Sequence, residues 1–147
     1  MIVKDIMSTN IKTAKPDTSV REIAKIMCFN KISGMPVVDD DGKIVGVVSE
    51  KDVLHSMFPD IAELSEQGSY PDFEEMEGAY ESTLSNQVEN IMTKAVATVP
   101  PDIPILKAAS LMWLRKIRRI PVAENGVLVG IISIGDVHKA VFQSTLG

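Results

Sequence analysis

The 147-residue sequence predicts an α/β protein, with two tandem β-α-β-β-α repeats packed with pseudo-twofold symmetry and joined by an acidic insert. Three observations lead there. First, sliding the chain by about 85 positions superposes Ile6-Met7 on Ile91-Met92, Thr13 on Thr98, Pro16-Asp17 on Pro101-Asp102, and Lys31-Ile32 and Pro36-Val37 on Lys116-Ile117 and Pro121-Val122. One position is dropped at a turn, after which Gly42, Val45-Gly46, Ser49 and Asp52-Val53 match Gly126, Val129-Gly130, Ser133 and Asp136-Val137. Second, within each copy the apolar residues change from helical to strand spacing. Third, between the copies stand eight acids and no Lys or Arg. The first repeat therefore occupies 1–57, the insert 58–87 and the second repeat 88–147.

Each copy opens with a short strand, expected at 11–14 or 96–99, which ends where Pro16 or Pro100-Pro101 removes ladder donors. A helix follows. In the first copy Asp17, Thr18 and Ser19 are candidate N-caps, ahead of Val20, Ile23, Ala24, Ile26 and Met27 at helical spacing. In the second, Asp102 precedes Ile103-Pro104, with proline tolerated in a first turn, and Ile105, Ala108, Ala109, Leu111 and Met112 continue the stripe. Two strands come next around a tight turn: 35–38 and 43–49 about Asp41-Gly42, then 120–123 and 127–133 about Asn125-Gly126. Their consecutive apolar residues, Val45-Gly46-Val47-Val48 and Val129-Gly130-Ile131-Ile132, require both faces to be covered. A last helix starts near Glu50 or Ile134.

Composition narrows the function. Hydrophobic residues at 45% and charged residues at 24% suit a soluble globular chain long enough to bury a core without disulfides or metals. No apolar run approaches the roughly 20 residues of a membrane span, and Asp5 interrupts any leader-like stretch, so a cytoplasmic protein without membrane insertion is expected. The single Cys28, among Ile23, Ile26, Met27 and Phe29, agrees with a reducing compartment and reads as a core residue. The net charge of -5 is uneven: outside the insert, fifteen bases face twelve acids. That mild basicity suits an anionic small molecule and falls short of the dense basic face that nucleic acid demands. No nucleophile–base pair, His/Cys metal cluster or Walker loop is present, which points away from an enzyme and from a metal site. His55 and His138, one position out of step between the copies, read as surface or edge residues.

With those motifs assembled, the pattern resembles the CBS domain, named for cystathionine beta-synthase, in the tandem arrangement called a Bateman module. The resemblance rests on Asp5-Ile6-Met7, Thr13, Pro16-Asp17, Gly34-Met35-Pro36-Val37-Val38 and Ile44-Val45-Gly46-Val47-Val48-Ser49 with Asp52. The second copy repeats it in Ile91-Met92, Thr98, Pro101-Asp102, Ile120-Pro121-Val122 and Leu128-Val129-Gly130-Ile131-Ile132-Ser133 with Asp136. It implies adenosine-type ligands, namely AMP, ADP, ATP or S-adenosylmethionine, held in clefts between the repeats. It also implies a homodimer, and an effector protein of unknown identity that reads the ligand state.

The residues supply physical reasons for such a ligand. In Ser-x-x-Asp at a strand-to-helix junction, hydroxyl and backbone amides face an anion, and the carboxylate accepts both hydroxyls of a ribose. Ser49 with Asp52, and Ser133 with Asp136, take those roles; the same spacing also makes each serine a helix cap. Replacing Asp136 is on this reading expected to weaken binding with little loss of stability. The resemblance places the adenine against Met35-Pro36 and Ile120-Pro121, with Thr13, Ala14, Thr98 and Val99 offering backbone polar groups to its edge. Arg118 and Arg119 stand where the first copy has Ser33 and Gly34. They are phosphate forks on the ligand reading and a solvated basic turn on the plainer one.

The insert is the departure from a minimal tandem pair. It holds four of the seven aromatic residues, Phe58, Tyr70, Phe73 and Tyr80. An acidic helix over 72–84 would carry Phe73, Met76 and Tyr80 on one face and pack back on its own module. The competing function is a structural homodimerisation module whose ligand clefts are vestigial.

Overall fold

The computed structural model describes residues 1–58, 66, 68 and 72–147. Asp60, Glu63 and Tyr70 of the insert lie outside the described residues. The chain forms two compact units that do not follow the repeat boundaries. One consists of Thr13–Val37 and Val45–Lys94; the other of Met1–Lys12, Val38–Ile44 and Ala95–Gly147. They are named here the 13–94 unit and the 95–147 unit.

In the 13–94 unit, α1 (Val20–Asn30) starts where the Ser19 side chain accepts a hydrogen bond from the Glu22 N–H at 3.2 Å. Of the three candidate caps Ser19 serves, while the Thr18 hydroxyl closes the preceding turn by accepting from Lys15 N–H. Helix α1 buries Val20, Ile23 and Met27. Cys28 is exposed, which corrects its reading as a core residue. A helix turns by roughly 100° per residue, so the position after Met27 leaves the 20-23-27 face. Strands β1 (Gly34–Val38) and β2 (Ile44–Ser49) pair in a two-stranded sheet, and α2 (Glu50–His55) follows without a break. Ala14, Met35, Val37, Val48, Val53 and Val88 complete the core.

The expected helix of the insert is α3 (Phe73–Leu84), capped by Asp72, whose Oδ1 accepts from the N–H groups of Glu74 and Glu75. It packs against α1 and lays Tyr80 and Leu84 on the core, while Phe73 stays exposed. Asp72→Ala is expected to cost about 1 kcal/mol of helix stability. The check is amide hydrogen exchange across 73–84, which should accelerate there and not in α1.

In the 95–147 unit, α4 (Ile105–Leu114) and α5 (Ile134–Ser144) pack on each other and flank strands β3 (Arg119–Glu124) and β4 (Val127–Ser133). Pro104 stands at the N-cap of α4 without a side-chain bond, one position before the first turn expected for it. The Asn125-Gly126 turn has φ of 53° and 81°, the left-handed pair that joins twisted antiparallel strands with least strain. β3 and β4 pair from Arg119↔Ser133 to Glu124↔Val127, with an irregularity after Val122. The core gathers Val99, Ile105, Ala108, Met112, Ile120, Val122, Ile132 and Val137.

Two differences from the expected elements stand out. The opening strands shrink to single parallel bridges, Ala14↔Val37 and Val99↔Val122, because proline ends each segment almost at once. And each copy's leading turn packs in the unit built mainly from the other copy. Val3, in a 3-10 turn over Val3–Asp5, is fully buried with Val99 and Met112, its N–H bonded to Ile103 O at 2.9 Å. Val88, its counterpart over Val88–Asn90, is fully buried with Val20 and Ile23, its N–H bonded to Thr18 O at 2.8 Å.

Candidate functional site

Both Ser-x-x-Asp junctions form closed capping boxes. Ser49 N–H donates to Asp52 Oδ2 at 2.9 Å, Ser49 Oγ donates to the same oxygen at 3.1 Å, and Asp52 N–H returns a bond to Ser49 Oγ at 3.2 Å. At the second junction Ser133 N–H donates to Asp136 Oδ2 at 2.9 Å and Asp136 N–H to Ser133 Oγ at 3.0 Å. The aspartates are therefore structural at their inner oxygen. This corrects the expectation that Asp136 can be replaced with little loss of stability, because truncation removes half of a capping box.

Two basic residues meet the second junction through their backbone. Arg118 O accepts from Ile134 N–H, the first residue of α5, at 2.9 Å. Arg119 pairs across the hairpin with Ser133, so the two share a face of the sheet. Arg115, Lys116, Arg118 and Arg119 are all exposed, giving four cations within five positions. The first junction has the same backbone link, Glu50 N–H to Ser33 O at 2.9 Å, with Ser33 and Gly34 where the arginines stand.

Asp136 also lines an open cavity of about 250 Å³ with Ile6, Lys139, Ala140 and Gln143. Lys139 and Gln143, three and seven residues past Asp136, were legible as one helical face. Thr93 was also missed in the sequence: its hydroxyl donates to Asp52 Oδ1 at 3.4 Å across 41 positions. The only signal for it is the repeat, which puts a hydroxyl residue after Ile-Met in both copies, Ser8 and Thr93.

The remaining expected residues divide by burial. Thr13 and Thr98 are exposed, and Ser49, Asp52, Ser133 and Asp136 are half-buried. Ala14, Met35, Val99 and Ile120 are core residues, at most 4% exposed, and Pro36 and Pro121 are buried beside them. The N–H groups of Ala14 and Val99 are spent on Pro36 O and Pro121 O, at 3.0 and 3.1 Å, and Val99 O accepts from Ala123 N–H. His55 and His138 are exposed. Among the described residues no three His, Cys, Asp or Glu side chains converge as metal ligands.

The duplicated hairpin-to-helix junction has a counterpart in known proteins. The family model described as CBS domain matches this sequence twice, over residues 3–58 and 88–143. The chain belongs to the CBS-domain family. It is 34% identical to protein MJ1426 of Methanocaldococcus jannaschii, over 96% of this chain and 91% of that one. It is 31% identical to the chloroplastic CBS domain-containing protein CBSX2 of Arabidopsis thaliana, spanning 60% of that protein's length. The crystal structure of CBSX2 in complex with AMP superposes with a TM-score of 0.75, at 31% identity over 98% of both chains. The CBS domain pair of protein MJ0100, in complex with 5-methylthioadenosine and S-adenosyl-L-methionine, gives 0.69, at 28% identity over 98% of both chains. Among the described residues, no helix of this CBS pair is long and apolar enough to cross a membrane.

Proposed function

We propose that this CBS pair is a non-catalytic regulatory module that binds an adenosine-type ligand, AMP, ADP, ATP or S-adenosylmethionine, and signals the bound state to a partner protein. The observation that carries the reading is the junction of β4 with α5, where Asp136 lines a cavity, Arg118 O accepts from Ile134 N–H and Arg119 pairs with Ser133. The Asp136 carboxylate accepts the ribose hydroxyls, and the guanidinium forks of Arg118 and Arg119 take phosphate oxygens. Ser133 holds Asp136 in place through the cap. Thr98 and Val99 border the base, with Ile120 and Pro121 packing the strand beneath. Ser49 and Asp52, with Thr13, Ala14, Met35 and Pro36, are the corresponding set in the 13–94 unit. The adenosine-type ligands of CBSX2 and MJ0100 support the choice of ligand class. A signal follows if the ligand prefers one of two arrangements of the module, because only differential affinity shifts such an equilibrium.

A thermal-shift and calorimetry panel of AMP, ADP, ATP and S-adenosylmethionine tests the reading. A ligand at a hundred times its Kd adds about 2.7 kcal/mol, raising Tm by roughly 5–10 °C for a chain of this length. Asp136→Asn should lose that rise, whereas Ser133→Ala should lower the ligand-free Tm and keep most of it. No rise with any of the four overturns the proposal.

A second reading, an assembly module forming homodimers, draws on exposed apolar side chains along α4 and α5. Leu106 is 64% exposed, Trp113 79% and Phe142 57%, more than an isolated surface needs. Light scattering on the ligand-free chain tests this reading: a dimer is expected, and a monomer overturns it.

A further inference from the structure

The two junctions share a backbone but differ in what their carboxylates have left to accept. A carboxylate offers about four lone-pair sites, two on each oxygen. Asp52 has three of them engaged: Oδ2 accepts from Ser49 N–H and Ser49 Oγ, and Oδ1 accepts from Thr93 Oγ1. Asp136 has one engaged, Oδ2 with Ser133 N–H, among the described residues. A ribose presents two adjacent hydroxyl donors and needs two vacant acceptor sites on the carboxylate. Asp136 has room for both, while Asp52 has room for one.

Thr93 is no accidental neighbour of Asp52. It is clamped to β2 by a pair of backbone bonds, Val47 N–H to Thr93 O at 2.9 Å and Thr93 N–H to Val47 O at 2.8 Å. The clamp and the stiff χ1 of a β-branched residue hold the hydroxyl toward Asp52. Ser8 sits in the same clamp against Ile131 in the 95–147 unit, with bonds of 2.8 and 2.9 Å, yet makes no bond to Asp136 among the described residues. Charge runs in the same direction: Arg118 and Arg119 precede the Asp136 junction, Ser33 and Gly34 the Asp52 junction.

We propose that the chain binds one adenosine-type ligand, at Asp136, and that Thr93 closes the equivalent junction by occupying Asp52. This rests on the function proposed above. Wild-type protein should then bind one equivalent of AMP in isothermal titration calorimetry, and Asp136→Asn should weaken that binding at least tenfold. Thr93→Val, which removes the hydroxyl and keeps the shape, should open a second, weaker site, read with adenosine because no arginine pair stands there for a phosphate. Adding Asp52→Asn to Thr93→Val should abolish the second site alone. Circular dichroism establishes that each variant is folded. Two equivalents in the wild type, an Asp136→Asn chain that keeps its affinity, or a Thr93→Val chain that still binds one equivalent overturns the proposal while leaving the ligand class standing. Failure of the wild type to bind AMP, ADP, ATP or S-adenosylmethionine overturns the function and this inference together.

Discussion

Gly130→Val is expected to cost about 3 kcal/mol and to lower Tm by roughly 10 °C. Gly130 is buried in β4, and a Cβ built there meets the Met7 side chain, with Cγ at 2.9 Å, and Ser8 O at 3.1 Å. The thioether end of Met7 can swing aside. Ser8 O cannot, because it accepts from Ile131 N–H at 2.9 Å while Ser8 N–H donates to Ile131 O at 2.8 Å. Relief of the clash therefore has to break that clamp and release Val3 from the core. Gly46 repeats the arrangement in the 13–94 unit, with Met92 Sδ at 2.7 Å and Thr93 O at 3.0 Å. Thermal melts of Gly130→Val and of Gly130→Val with Met7→Ala apportion the effect. The double variant should recover the part due to the Met7 side chain and not the part due to Ser8 O. A Gly130→Val melt within 1 °C of wild type would show that the leading segment docks without the close approach.

Met112→Ala should lose a similar amount, about 3 kcal/mol within the usual 2–5 for deleting a fully buried long side chain. Met112 has no exposed surface and packs among Val3, Val99, Ala108, Ile120 and Ile132. These neighbours come from a turn, a bridge, two strands and a helix, so no single element can move in to fill the gap. Urea unfolding measures it, as a lower midpoint at an unchanged slope. A loss under about 1 kcal/mol would mean that the site collapses around the alanine. Met112→Leu, which conserves volume, is the control and should cost less than about 1.5 kcal/mol.

Much of this protein is legible without coordinates. The two hairpins, the helices that precede and follow them, and the serine caps at Ser19, Ser49 and Ser133 all follow from period, turn residues and capping spacing, which act over a few residues. The insert helix is readable for the same reason, from Asp72 and the spacing of its apolar residues. The buried stripe on α1 is narrower than its apolar run, since Cys28 shares its apolar neighbours' composition and not their face. The junctions were likewise legible as Ser-x-x-Asp pairs, although spacing alone could not say whether an aspartate caps, binds or does both.

The repeat, its elements and the residues that stand at each junction are therefore local properties, readable from the order of residues alone. Which leading turn enters which core, and how many donors each carboxylate meets among the described residues, depend instead on long-range packing. Val3 docks beside Met112 and Val88 beside Ile23, pairings 109 and 65 positions apart that leave no local pattern because they depend on complementary cavities. Thr93 meets Asp52 for the same reason: the bond spans 41 residues and exists only because the backbone clamp to Val47 holds the hydroxyl in place. Local spacing sets what a segment can form, while long-range packing sets which segments meet.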